Sequence, residues 1–486
     1  MFALFCNISY WKYKKDKVSI NMAVHSIRHP MRAGRDVDMT QGSIIKHLIL
    51  FAFPLFIGNI FQQLYNTVDT WIVGNYVSNA AFSAVGTVGP IINMLIGFFM
   101  GLSSGAGVVI SQYYGAKKYD RVQDTVHTSI VLTLIMGIVF TAIGIAMTPT
   151  MLHFMNTPDD VMPESTTYLV IYFSGVIGLM LYNMGAGILR AVGDSRRPFY
   201  FLVASALINT ALDLLFVLAF QMGVAGVALA TVIAQGISAV LVCITLLRTD
   251  TCIRLSPKKL RIHTEMLKKI FRVGIPAAIQ MAVTSFSNVF VQSYINYFGT
   301  DCMAGWTAYA KIDQLVMLPM QSLALASTTF VGQNLGQNQS ARARKGADIA
   351  LLLAVLSTIV VMVPIICFSR GLTAFFNSKP EVVEYGSMFL RYISPFYVLC
   401  CVNQIYSGAL RGAGNSRAPM IIMLCSFVVF RQIYLFVVAR FISNTIIPIA
   451  MGYPAGWFVC SAATFLYYKH TSLLENRLVD DSVSNT

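Results

Sequence analysis

Two aspartates stand inside stretches too apolar for a water-facing surface. Asp69 closes the run Gln62-Gln63-Leu64-Tyr65-Asn66-Thr67-Val68-Asp69, and Asp213 follows Asn209 by four residues, which puts both on one helix face. Thr231 lies in Ala228-Leu229-Ala230-Thr231. A carboxylate at mid-membrane costs at least ~2.5 kcal/mol on insertion scales, so each invites a functional reading. Their depths agree. A turn near Met222 and Gly223 joins the runs that hold Asp213 and Thr231, each nine residues from it, or ~13 Å at helical rise. Asp69 lies a similar distance before the loop near Ser78. Two carboxylates, an amide and a hydroxyl at one depth suit a hard monovalent cation. A carboxylate pair sharing one proton fits equally. The competing reading is structural: the acids pair with polar neighbours and lock helices together.

Three further charges fall in apolar runs: Lys311, Asp313 and Arg431. Lys311 and Asp313, two apart, do not face each other, and salt-bridge structure is the expectation for all three over substrate contact. Tyr65, Gln280, Met281 and Asn288 are candidates to line a cavity for flat lipophilic cations. Ring faces attract positive charge, and Met adapts to varied shapes.

The elements that must position these groups are membrane helices. Of 486 residues, 56% are hydrophobic and 12% charged, against about 25% charged in an average globular domain; the mean hydropathy is +0.65. Apolar runs near 20 residues long cross ~30 Å of hydrocarbon as helices, the form that pairs every backbone group internally. The reading is an all-α polytopic membrane protein with twelve spans near 44–73, 82–110, 126–147, 164–190, 199–220, 224–247, 266–298, 303–330, 346–369, 385–410, 418–440 and 445–468. Residues 1–40 read as a basic, disordered cytoplasmic tail, with Met22, Met31 and Met39 as alternative starts. Residues 41–247 form an N-terminal lobe, 248–265 a cytoplasmic linker, 266–468 a C-terminal lobe and 469–486 a second cytoplasmic tail.

Lys and Arg gather on the side of the two tails, whereas the outer loop with Asp159, Asp160 and Glu164 carries no base. The positive-inside rule then puts both termini in the cytoplasm. The net charge of +14 points to anionic lipid rather than nucleic acid. The nine cysteines show no metal-ligand or redox spacing, and neither GxxxxGK[ST] nor HExxH occurs. No metal site beyond a possible Na⁺, no cofactor and no catalytic constellation is expected, so transport must draw on a gradient.

The chain also repeats itself. Leu189-Arg190-Ala191-Val192-Gly193-Asp194-Ser195-Arg196-Arg197-Pro198 returns as Leu410-Arg411-Gly412-Ala413-Gly414-Asn415-Ser416-Arg417-Ala418-Pro419, six of ten positions agreeing at an offset of 221. Gln112 and Gly115 match Gln333 and Gly336 at the same offset, and Pro54 matches Pro276 at 222. Six spans per repeat is even, so both halves enter the membrane the same way, a duplication suited to two bundles rocking about a central site. The second copy lacks the acids: Val291, Phe430 and Tyr434 stand where the first has Asp69, Asn209 and Asp213.

Phe53-Pro54-Leu55 followed by Val68-Asp69-Thr70 and Gly74, the loop Gln112-Tyr113-Tyr114-Gly115-Ala116, the two LRxxGxSRxP repeats and Gly226-Val227-Ala228-Leu229-Ala230-Thr231 together resemble the multidrug and toxic compound extrusion (MATE) family over residues 40–468. The resemblance is to its DinF/MepA-like bacterial branch. It implies two pseudo-symmetric six-helix bundles around a cleft, in a monomeric antiporter of the bacterial cytoplasmic membrane. It further implies export of cationic or amphiphilic drugs in exchange for Na⁺ or H⁺, with Asp69, Asn209, Asp213 and Thr231 matching the coupling-cation site. An acid in the seventh helix, present in the NorM-like branch, is replaced here by Gln280. A lipid-linked oligosaccharide flippase of the same superfamily is the alternative; it calls for a strongly cationic cavity.

Overall fold

The computed structural model describes residues 37–77, 79–155 and 157–479. Among these it contains helices and no strand. The first span (Ile44–Tyr76) starts at Ser43, whose side chain accepts from the Lys46 backbone N–H and caps the helix. The second (Asn79–Gly115) and third (Tyr119–Phe154) follow across the tight turn at Lys117. The fourth is broken: Met162–Ser174 and Val176–Ala191 meet at Gly175 with a bend of 48°. The fifth (Arg196–Ala219) and sixth (Gly223–Arg248) complete the N-terminal lobe.

The C-terminal lobe repeats this order. Its seventh and eighth spans are Thr264–Asn296 and Thr300–Gly336, and its ninth is Ser340–Cys367. The tenth is broken like the fourth, with Pro380–Ile393 and Tyr397–Gly412 joined by a tight turn at Ser394–Phe396. The eleventh and twelfth are Arg417–Ile442 and Ile446–His470. Ten of the twelve are apolar enough to read as membrane spans on composition alone, the bent fourth counted once. The tenth is split into helices of 14 and 16 residues, each too short to span alone, and the seventh begins with the basic turn Lys268, Lys269 and Arg272. Their place in the repeat identifies them.

The linker is no loose tether. Ile253 and Leu255 are buried, the Ser256 N–H donates to His127 Nε2 at 3.0 Å and the His263 N–H to Thr128 Oγ1 at 3.0 Å. Residues 1–36 of the expected N-terminal tail lie outside the described residues. Its last part is pinned: the Met39 N–H donates to Gln333 Oε1 at 2.9 Å.

The lobes meet along the second and seventh spans, and glycine sets how closely. A Cβ on Gly101 would lie 2.4 Å from the Ala278 backbone, and one on Gly105 2.5 Å from Gly274. Both are closer than atoms can approach, so the two backbones touch there. At Gly97 the nearest atom is Met281 Cβ at 3.4 Å, an ordinary contact. Gly86, eleven residues away and within ~20° of the same face, meets nothing within 4 Å. The two helices therefore splay from the tail end toward the other end.

Candidate functional site

The fifth span carries Asn209 and Asp213 into the interior of the N-terminal lobe, where they are 2% and 0% exposed. Directly after Asp213 the helix widens into a π-turn over Leu215–Ala219, a distortion frequent at functional sites. The sixth span brings Thr231, 7% exposed, whose hydroxyl donates to its own helix at Val227 O, 3.0 Å away. That bond leaves the oxygen free to accept. Asn209 and Thr231 line a small cavity with Tyr65, Ser205 and Gln235. It has room for roughly one water molecule.

Asp69 and Asp213 each lie four residues beyond a cavity-lining residue, about 6 Å along their helices. Their carboxyl groups are neighbours. Around them stand phenols that composition did not single out. Tyr168 and Tyr172 are one turn apart in the fourth span with rings stacked at 6.4 Å, and Tyr168 lies within electrostatic reach of both carboxyls. Two tyrosines at i, i+4 in an apolar span were the signal available.

The donor set is unbalanced. Asp69 Oδ1, both Asp213 carboxyl oxygens and both ends of the Asn209 amide are buried with no hydrogen-bond partner in the protein. No Lys or Arg forms an ion pair with either acid among the described residues. A buried carboxylate without counter-charge or donor costs several kcal/mol. An arrangement rich in acceptors and poor in donors suits a bound cation or proton. The sequence thus assembles Asp69, Asn209, Asp213, Thr231 and, unexpectedly, Tyr65 in one place.

The other candidates scatter. Gln280 is buried inside the C-terminal lobe, where it donates to Met423 Sδ and accepts from Arg411 at 3.5 Å. Met281 faces Gly97 at the lobe interface. Asn288 is exposed and accepts from Arg431 at 3.1 Å.

The salt-bridge expectation for the interior charges fails. Among the described residues, Asp313 and Arg431 form no ion pair, and Lys311 is exposed. Asp313 accepts instead from the Tyr397 hydroxyl at 2.6 Å and the Tyr309 hydroxyl at 3.3 Å. Arg431, 2% exposed, donates to Ser287 Oγ and stacks 4.8 Å over the Tyr453 ring. Neutral hydroxyls and a ring face take the place of a counter-ion, because neighbouring spans supply them and no opposite charge lies within reach.

A twelve-helix duplicated bundle with a polar cluster inside one lobe is the architecture of a membrane transporter. The MatE family model matches residues 54–215 and 276–437, one match in each lobe. The chain belongs to the MATE family of multidrug efflux transporters, whose members are not enzymes. The probable multidrug resistance protein YpnP of Bacillus subtilis is 29% identical over 433 residues, covering 89% of this chain and 96% of that protein. The multidrug export protein MepA of Staphylococcus saprophyticus is 22% identical over 80% of this chain and 86% of its own. A MOP superfamily transporter from Pyrococcus furiosus shares the fold with a TM-score of 0.86 at 22% identity, covering 90% of this chain and 98% of that one.

Proposed function

We propose that this transporter exports cationic or amphiphilic organic compounds in exchange for Na⁺ or H⁺, and that the ion binds between Asp69 and Asp213. The observation that carries this reading is the set of buried, partnerless oxygens on those two acids and Asn209. An ion that neutralises them removes a desolvation cost of several kcal/mol. A ligand shifts a conformational equilibrium by its difference in affinity for the two states, so a site this unbalanced has leverage over the lobes. The tail-bearing end is cytoplasmic on the distribution of Lys and Arg, and the splayed end then faces outward.

The flippase reading is less well supported, because Arg431 is engaged inside the C-terminal lobe and the N-terminal lobe presents acids. The test is efflux of a fluorescent organic cation from proteoliposomes under separately imposed Na⁺ and H⁺ gradients. Acceleration by one gradient is expected; equal efflux with and without either would refute coupling.

Asn209 separates the two ions. Under Na⁺ coupling its amide oxygen is a ligand, and Asn209→Ala should raise the Na⁺ concentration for half-maximal efflux about tenfold, the loss of ~1.4 kcal/mol. Under H⁺ coupling the same variant should leave the dependence on the proton gradient within about twofold.

A further inference from the structure

The residues that mark the internal repeat also tie the lobes together. Gln112, near the end of the second span, is fully buried. Its Nε2 donates to Gly412 O at 2.8 Å, and its Oε1 accepts from the Leu478 N–H at 2.7 Å. Both partners belong to the C-terminal half. Gln333, its repeat equivalent on the eighth span, is fully buried too. Its Nε2 donates to Ala191 O at 2.9 Å, and its Oε1 accepts from the Met39 N–H at 2.9 Å. Both of those belong to the N-terminal half. Ala191 and Gly412 are themselves equivalent at the offset of 221. Each glutamine thus holds one helix-end carbonyl and one tail amide of the other half, and all four bonds cross the lobe boundary.

The surroundings are built for this. A Cβ on Gly115 would lie 1.9 Å from Gln333 O, and one on Gly336 2.1 Å from Gln112 O, so the second and eighth spans cross there backbone to backbone. The loops that follow those carbonyls turn at Gly193 and Gly414, at φ +88° and +95°, where a side chain would be strained. The same turns receive the tails: Cβ positions at Gly193 and Gly414 lie 2.4 Å from Val37 O and Asn476 O. Arg342 adds bonds to Met39 O and Gly42 O at 3.2 and 2.9 Å.

We propose that Gln112 and Gln333 are the paired positioning residues of a gate between the lobes at the tail end. The gate clasps the segments around Met39 and Leu478 and must release all four bonds whenever the transporter opens on that side. The proposal rests on the alternating-access reading above. A buried amide group whose partners separate is costly to leave unpaired, so the latch sets how often that end opens.

The test measures lobe separation directly. Asp120 and Ala341, exposed equivalents at the starts of the third and ninth spans, would carry spin labels on genetically encoded ketone residues, since the chain has nine cysteines. Distances would be read in lipid nanodiscs for the parent and for Gln112→Met and Gln333→Met, which keep side-chain shape and lose the bonds. The expected result is a rise of about tenfold in the ratio of long to short distances for each variant, and more for the pair. Proteoliposome efflux should change in parallel. An unchanged distance distribution with a lowered melting temperature would overturn the latch and leave a purely structural role. A shifted distribution in a protein that transports no organic cation would uphold the latch and refute the functional reading instead.

Discussion

Asp69→Asn should abolish gradient-driven efflux while the protein still folds and inserts. The change preserves shape and one acceptor oxygen but removes the charge that a cation neutralises and the site that a proton would occupy. Asp69 and its neighbour Asp213 form a buried pair with no basic counter-ion among the described residues, so the charge that is lost is one the transported ion balances. Efflux driven by the imposed ion gradient should fall at least ~100-fold, equivalent to ~2.7 kcal/mol, while equilibrium binding of the organic cation changes little. Asp213→Asn should give the same phenotype. The double variant should be no worse than either single one, because groups that act as a unit lose their function once. Normal gradient-driven efflux in Asp69→Asn would end the assignment.

Gly105→Val should be strongly damaging although it lies outside the polar cluster. The second and seventh spans touch there through backbone atoms, with Gly274 2.5 Å from any Cβ added. Neither backbone can step aside alone, because Gly101 makes the same approach to Ala278 one turn away. Overpacking a core by a few methyl groups costs about 1–3 kcal/mol where side chains can yield; here the cost should reach the upper end or beyond. Folded yield from the membrane and melting temperature in detergent are the measurements. Gly86→Val serves as the control, since nothing lies within 4 Å of that position, and its yield should match the parent. Equal yields for the two variants would mean the close crossing is absent from the folded protein.

Much of this was legible from the chain because depth along a helix follows from counting residues. The turn near Met222 put Asp213 and Thr231 at one level and the loop near Ser78 put Asp69 there too; in the structure the Asp69 and Asp213 carboxyls are neighbours. Rotation about a helix axis is harder to read. Gln280 and Asn288 lie on one helix, eight residues and hence ~80° apart. One is buried in the C-terminal lobe and the other is exposed, and both environments accept an amide. The breaks at Gly175 and Ser394–Phe396 were also hidden, since each interrupts an apolar run without ending it. Partners far apart in sequence were beyond reach altogether: Tyr397 binds Asp313 across 84 residues. The absence of counter-ions for Asp313 and Arg431 emerges only when the spans are packed.

The four bonds around Gln112 and Gln333 all end on main-chain atoms of the opposite half. A grip on the backbone is blind to side-chain identity: Ala191 and Gly412 serve alike, and so do Met39 and Leu478. The geometry is that of an isologous contact in a two-fold dimer, kept within one polypeptide. Such a contact lets the two copies drift apart in composition without losing hold of each other. One half is thereby free to keep its acids while the other replaces them with Val291, Phe430 and Tyr434.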